Sequence, residues 1–577
     1  MVTKGHFSTG LVDDPGAIPL VIAVAGHRDP VPKMIPGLRE IFRCHLRELM
    51  MELPHTPIIL LNGLATGMDS EAAEVFLQET NSEIFNNRYR PNHQLVAVLP
   101  KPVEDYIRED FSVNADDRAR LKSLLRNCSA VLDPQNCTDL VPEEEPNNEE
   151  NTAQKNQDRC YAKQSEFLVR HCYLLIAFFN GKDNLKPGGT GQTVAMQRGD
   201  IYPLFMHVNE VIAAREPGIL IEVRTPRLSD KRPSISTIKT TYWRECSDAT
   251  KPREHSTLNA KDIRDLLKSS KIANELDRIN EKLLRYPPRE KNNSGLESSL
   301  WLYADEMANT QKRIYMQLCR FIMIGSVIVS LSISQQDWQA IGLMVVLSAV
   351  IIFPKLQQGP KLGFIQWRCL AESIYVTDFW GSLGIKTDTA DLFHSQTNQN
   401  FGWIRTVLRG RRIQLLSIQS VTDGQPLFND AMSCCSRWIQ GQENWLEKTI
   451  HKQEKWNQTF TLAGISCFAL ALGLSISYTV FKQPIPEVLS EGLIGIAVAL
   501  FGYKELIGYG DTNARYSRSR VQFSRARKAL SSVSSSGVEK QTLQWRQRLI
   551  VEAVGREKID ELNDWIGDQL QRVYRPA

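Results

Sequence analysis

The sequence predicts two folds in one chain. An α/β, Rossmann-like domain occupies the N-terminal half, and an all-α membrane domain with four transmembrane helices in two hairpins occupies the C-terminal half. Three observations carry this prediction. Short β-branched runs closed by glycine turns recur over residues 18–230, and four apolar stretches follow residue 320 in two pairs. Basic residues crowd the outer ends of those pairs, while the loops inside the pairs hold only Lys482. At roughly 150 residues per domain, the 577 residues suffice for three or four domains. The pattern divides them into a ligand-binding domain (1–230), a helical linker (231–299), a first two-helix unit (300–415) and a second with C-terminal helices (416–577).

Residues 18–25, IPLVIAVA, form a continuous apolar run, the pattern of a strand buried on both faces of a parallel sheet. The polar turn Gly26-His27-Arg28-Asp29-Pro30 follows, then a helical stripe over 36–51 with Leu38, Ile41, Phe42 and Leu46. A second strand at 57–61 ends in Asn62-Gly63-Leu64-Ala65-Thr66-Gly67-Met68-Asp69 and leads into a helix at 70–79. A third strand is expected at 94–99. After a polar, acidic insert (134–158), a helix from Tyr161 leads into a fourth strand at 173–178, and Pro187-Gly188-Gly189-Thr190-Gly191 opens a helix beginning at Gln192. This βαβ rhythm is that of a doubly wound sheet, whose ligands bind at the carboxyl ends of the strands, where these turns lie.

Glycine has a physical role there. Backbone N–H groups approach a phosphate closely only where no Cβ intervenes, and a following helix N-terminus adds partial positive charge. Arg28 is a candidate for a bidentate phosphate contact or a solvated loop residue. His27 is a candidate contact or a hydrogen-bonded structural histidine. Tyr161 either faces the ligand or caps its helix.

The order GHR, LNGLATGMD, LP with Glu104-Asp105-Tyr106 and Asp110-Phe111, LLIAFFNG and PGGTGQT resembles the SLOG superfamily, which joins LOG-type nucleotide hydrolases to nucleotide-sensing domains. The resemblance covers about 18–230. It implies a nucleotide site formed by Gly26, His27, Arg28, Asn62, Gly63, Ala65, Gly67, Met68, Asp69, Tyr161, Gly188, Gly189, Thr190, Gly191 and Gln192. LOG enzymes carry PGGxGTxxE; in register this chain has Gln192 for the threonine and Ala195 for the glutamate. Without that carboxylate the general acid/base role has no owner. The expectation is a binding site for a nucleotide or NAD-derived ligand, cyclic or ADP-ribose-like, with no catalytic residue, metal or resident cofactor. The alternative is a membrane-anchored nucleoside-phosphate hydrolase of LOG type.

In the linker, Ile263, Leu266, Leu267, Ile272, Leu276, Ile279 and Leu283 mark an amphipathic helix or short coiled coil over 260–284, either a transmitting element or a packed domain helix. The apolar stretches lie at 321–333, 338–353, 460–481 and 488–503. Only the third reaches the roughly 20 residues that span a bilayer unaided, so helical hairpins buried in a soluble core are the competing reading. The flanking lysines and arginines favour the membrane and put both termini in the cytosol. The duplicated helix-hairpin-helix layout resembles the SLATT class of membrane domains. Together the two resemblances imply an inner-membrane, multi-pass, homo-oligomeric effector that opens a pore or disrupts the bilayer in antiviral defence. Glu491, near the outward end of the fourth stretch, is either a functional intramembrane carboxylate or, the favoured reading, a residue that reaches the headgroups.

Other classes recede. A net charge of +4, from 69 basic and 65 acidic residues, gives no field for a polyanion, so no nucleic-acid partner is expected. The 11 cysteines show no zinc spacing, and Cys434-Cys435 reads as two packed thiols in a reducing compartment. The first residues lack an apolar signal-peptide core, so the first half is expected in the cytosol.

Overall fold

The computed structural model describes residues 17–81, 91–137, 152–182, 186–201, 219–230, 240–244, 263–285, 298–333, 339–393, 398–421, 425–482, 484–534 and 539–574. The chain divides into two compact units, Met1–Trp301 with Ser373–Ala431, and Leu302–Glu372 with Met432–Ala577.

The first unit is built on a seven-stranded sheet of β1 (Leu20–Gly26), β2 (Ile58–Asn62), β3 (Gln94–Val98), β4 (Ala130–Leu132), β5 (Leu174–Phe179), β6 (Ile219–Arg224) and β7 (Thr240–Arg244). Its spatial order is β4-β3-β2-β1-β5-β6-β7, parallel throughout except for β7, which pairs antiparallel to β6. All residues of β2 and β5 are buried, which is why these strands read as unbroken apolar runs. The chain steps outward from β1 to β4 and then returns to the other side of β1 at β5. The order reverses between β1 and β5, and such a switch point opens a crevice at the strands' carboxyl ends. Three strands were not anticipated. β4 is only three residues long, and β6 interrupts its apolar run with Glu222, whose charge is met by Arg198 at 2.7 Å. The antiparallel β7 lies beyond the expected boundary at 230.

Around the sheet run α1 (Ile35–Glu52), α2 (Met68–Thr80), α3 (Val103–Asp110), α4 (Ala115–Asn127), α5 (Pro134–Cys137), α6 (Thr152–His171) and α7 (Thr190–Arg198). The stripe on α1 is buried through Leu38, Phe42, Leu46 and Leu49. The helix expected over 260–284 is instead two, α8 (Ile263–Ser269) and α9 (Lys271–Arg285), broken at Ser270. The Ser270 hydroxyl accepts from the Ala273 N–H at 3.1 Å and lies 2.6 Å from the Tyr173 hydroxyl. On α9, Asn280 bonds both backbone groups of Ile18, at 2.7 and 2.8 Å, and Asp277 accepts from the Thr56 hydroxyl at 2.8 Å. Buried polar side chains satisfied this way fix a helix in place, so the linker's amphipathic face belongs to the α/β unit.

The chain continues through α10 (Ser299–Ile333), α11 (Gln339–Leu383) and α12 (Asn398–Val421). The expected boundary put 300–415 in one membrane unit, but the division falls at Glu372 and Ser373. Ile413 and Leu416 of α12 share a core with Val21, Val96, Leu175 and Leu220. At Gly410 a Cβ would stand 2.9 Å from the Pro19 carbonyl oxygen, so glycine sets the closeness of this packing. Arginines on the same helix are buried and matched: Arg409 pairs with Asp391 at 2.7 Å and Arg411 with Asp378 at 2.8 Å, while Arg170 of α6 also binds Asp391. Burial alone would raise the Asp391 carboxyl, yet Arg170 and Arg409 hold it well below the usual carboxylate range.

The second unit is helical, with α13 (Gln425–Phe481), α14 (Pro484–Ile507), α15 (Tyr509–Ser534) and α16 (Lys540–Tyr574). Aromatic pairs lock it, Trp438 with Phe523 and Phe460 with Tyr503, each with ring centres 5.3 Å apart. Among the described residues one helix, Phe428–Phe481, is long and apolar enough to cross a membrane, with an 18-residue window of mean hydropathy 1.9. Its apolar window is only 11% buried. Of the four expected spans, the described residues show one. The fourth stretch, 488–503, is short of the length that spans a bilayer, and the side chains of 329–358, which include most of the first pair, lie outside the described residues.

Candidate functional site

A cleft of about 520 Å³ opens at the switch point between β1 and β5. Its floor is the end of β1 with the turn after β2, and its walls are α6, the loop and first turn of α7, and the segment after β6.

Local sequence fixes each wall. Gly67 adopts φ +87° at the start of α2, and a Cβ there would stand 2.5 Å from the His27 carbonyl oxygen, so the first two turns meet only because this residue is glycine. That carbonyl accepts from the Met68 N–H at 3.1 Å. Leu64 between them is held at φ +51°, a conformation costly for a branched side chain, by full burial and by the Asn62 carboxamide, which accepts from its N–H at 2.7 Å. Gly188 adopts φ +70° with Tyr161 Cβ 2.1 Å from where its own Cβ would be. The Gln192 carboxamide accepts from the Gly188 N–H at 2.6 Å, tying the loop to its helix. Gly189 is the N-cap of α7 with an ordinary extended backbone, and its Cβ would clear all but the Lys186 carbonyl oxygen, at 3.1 Å.

Charges in the cleft are mixed. Arg28 pairs with Asp110 at 3.2 Å and lies over the Tyr161 ring, 5.4 Å from its centre. The Tyr161 hydroxyl donates to the same Asp110, and Lys101 approaches it at 3.5 Å. Burial and the bond to Asp110 push the Tyr161 phenol up. Arg227 is held by Asp29 at 2.6 Å and Lys182 by Asp230. Lys186 has no carboxylate partner among the described residues. Burial pushes the Asp69 carboxyl up to about 7, against the opposing influence of Arg28 and the Gly26 and Ala65 amides. Burial, reinforced by Arg227, takes His27 down to about 4; its Nε2 accepts from the Asn180 N–H at 3.0 Å, so the ring is neutral.

Of the residues expected at the site, Gly26, His27, Arg28, Gly63, Ala65, Asp69, Tyr161, Gly188, Gly189, Thr190 and Gly191 line the cleft. Asn62, Gly67, Met68 and Gln192 stand behind the surface and brace the turns as described. Ala195, in register with the LOG glutamate, is buried in α7. Sequence reasoning missed Tyr106, Asp110, Gln164, Lys186, Arg227 and Asp230 as lining residues. Tyr106 and Asp110 stood inside a quoted motif, four residues apart on one turn of α3, and that spacing was the available signal. Arg227 and Asp230 follow an unforeseen strand. No protein-family model matches the chain, and no curated protein matches it.

Proposed function

We propose that the first unit is a SLOG-like sensor that binds a nucleotide-derived, phosphorylated second messenger, and that the helical unit answers by opening a pore or disrupting the membrane, as an antiviral effector. The observation that carries the reading is the convergence on one cleft of a glycine-rich helix N-terminus, Lys186 and Arg28, at the sheet's switch point. Its volume suits a nucleotide-sized ligand.

The membrane half of the proposal is supported by surface chemistry. Leu462, Ile465, Phe468, Leu470, Leu472, Ile476, Val480 and Phe481 are all exposed along one helix, and Phe321, Ile324 and Ile328 along another. A soluble protein does not leave so continuous an apolar surface to water. In the full proposal four helices in two hairpins span the inner membrane as a homo-oligomer, with both termini cytosolic.

In liposomes carrying the full chain, the messenger is expected to trigger dye release that is absent without it. Equal release with and without nucleotide would refute gating. The hydrolase alternative draws on one observation, a carboxyl poised near neutrality in the cleft, Asp69. Steady liberation of free base from the nucleotide would decide for it.

A further inference from the structure

We propose that the cleft has two chemically distinct ends, and that Asp69 forms the second, accepting a hydrogen bond from a hydroxyl or amino group of the ligand whose phosphate lies at Gly189, Thr190 and Lys186. This rests on the reading of the cleft as a nucleotide site and specifies which atoms are read there.

Asp69 lines the cleft yet is 91% buried, being 9% exposed, and its Oδ1 has no hydrogen-bond partner among the described residues. A buried acceptor at the edge of a cavity calls for a donor. Two glycines border the carboxylate: a Cβ on Gly26 would meet Met68 Cβ at 2.5 Å and Oδ1 at 3.3 Å, and one on Gly63 would meet Gln164 Nε2 at 2.7 Å and Oδ2 at 3.4 Å. The nearest cation does not fill the role, because the Arg28 guanidinium bonds Asp110 through both terminal nitrogens, at 3.2 and 3.3 Å.

A second anion is excluded from this end. A phosphate beside a buried carboxylate is repelled in a low-dielectric site, whereas a hydroxyl or amine offers the missing proton. The ligand class is therefore a phosphate joined to a sugar or base that carries a donor, and simple polyphosphates lack half of what the cleft recognises. Two parts of a nucleotide supply such a donor, a ribose hydroxyl and an exocyclic amine of the base.

The test is titration calorimetry on the detergent-solubilised full chain with inorganic pyrophosphate, AMP, ADP-ribose and a cyclic dinucleotide. Wild type is expected to bind at least one nucleotide roughly 10- to 100-fold more tightly than pyrophosphate, the range of a hydrogen bond to a charged group. Asp69→Ala should erase that advantage while pyrophosphate binds no more weakly than to wild type, the lost carboxylate no longer repelling it, which also shows that the variant is folded; Asp69→Asn should retain part of the advantage. The 2′- and 3′-deoxy forms, and inosine in place of adenosine, then assign the donor to ribose or base according to which loses affinity. If Asp69→Ala keeps the nucleotide preference, or if wild type has none, the donor end is overturned while the anion site stands. If no nucleotide and no pyrophosphate binds wild type, the nucleotide reading itself falls.

Discussion

Asp69→Asn should make the protein more stable at alkaline pH, and by an amount that depends on pH. The Asp69 carboxyl is raised from 3.8 to about 7 in the folded protein, chiefly by burial. At pH 8 it is ionised in both folded and unfolded chains, and the folded state bears the desolvation of the charge that Arg28 and the Gly26 and Ala65 amides leave uncompensated. The shift of about three units corresponds to roughly 4 kcal/mol at 1.36 kcal/mol per unit. As pH falls through 7 the folded-state carboxyl takes up a proton and this burden lessens; below 3.8 it is gone. Asparagine carries no charge at any of these values, so the gain should be near 4 kcal/mol at pH 8 and vanish by about pH 3. Thermal unfolding of wild type and variant, followed by tryptophan fluorescence across that range, reads the difference as a Tm gap of several degrees that closes on acidification. A Tm gap that is constant with pH, or a variant less stable than wild type at pH 8, would refute the assignment of a buried, unneutralised carboxylate.

The other expectations are simpler. Gly189→Val should fold but lose nucleotide binding, because its backbone is ordinary and its Cβ would meet only the Lys186 carbonyl oxygen, at 3.1 Å, while shielding the helix N-terminus from a phosphate; Gly188→Val should instead lower Tm, as its Cβ would overlap Tyr161 at φ +70°. Comparing Tm with titration heats separates the two. Arg28→Ala should weaken binding by about 1.5–3 kcal/mol if the guanidinium leaves Asp110 for phosphate, and unchanged affinity returns it to a purely structural pair. Asp391→Ala should cost about 3–5 kcal/mol in unfolding free energy, because it removes the carboxylate that Arg170 and Arg409 share in the interior. His27 and His45 both titrate near 4 in the folded state, with burial the main cause, and are about 6.5 when unfolded. Each contributes about 3 kcal/mol that is intact above 6.5 and lost as pH drops to 4. In wild type Asp69 partly offsets this loss, so Asp69→Asn should show the steeper acid sensitivity.

Much of the first unit was legible because buried parallel strands leave an unmistakable trace: 18–25, 57–61, 94–99 and 173–178 are apolar without alternation, and each leads to a turn whose residues must be small or polar. What escaped depended on partners distant in sequence. Nothing local distinguishes Arg409 and Arg411 from a cytosolic flank of a membrane helix; only Asp391 and Asp378, brought alongside by the fold, make them core residues. The same holds for the cleft. Its glycines announce themselves by spacing, whereas Asp110, Lys186 and Arg227 become site residues only when separate loops converge.

The α/β unit is assembled from discontinuous chain, with residues 302–372 intervening between its two parts. That arrangement has a consequence for biosynthesis. At roughly 5–20 residues per second, several seconds of translation separate the emergence of Trp301 from that of the helix carrying Ile413 and Leu416. During that interval the sheet is a nascent, uncapped structure, while the apolar residues beginning at Phe321 have already left the ribosome. Completion of the α/β unit must therefore follow the emergence of that segment, and a ribosome-bound chain stopped at residue 301 would lack the helix that packs on the sheet.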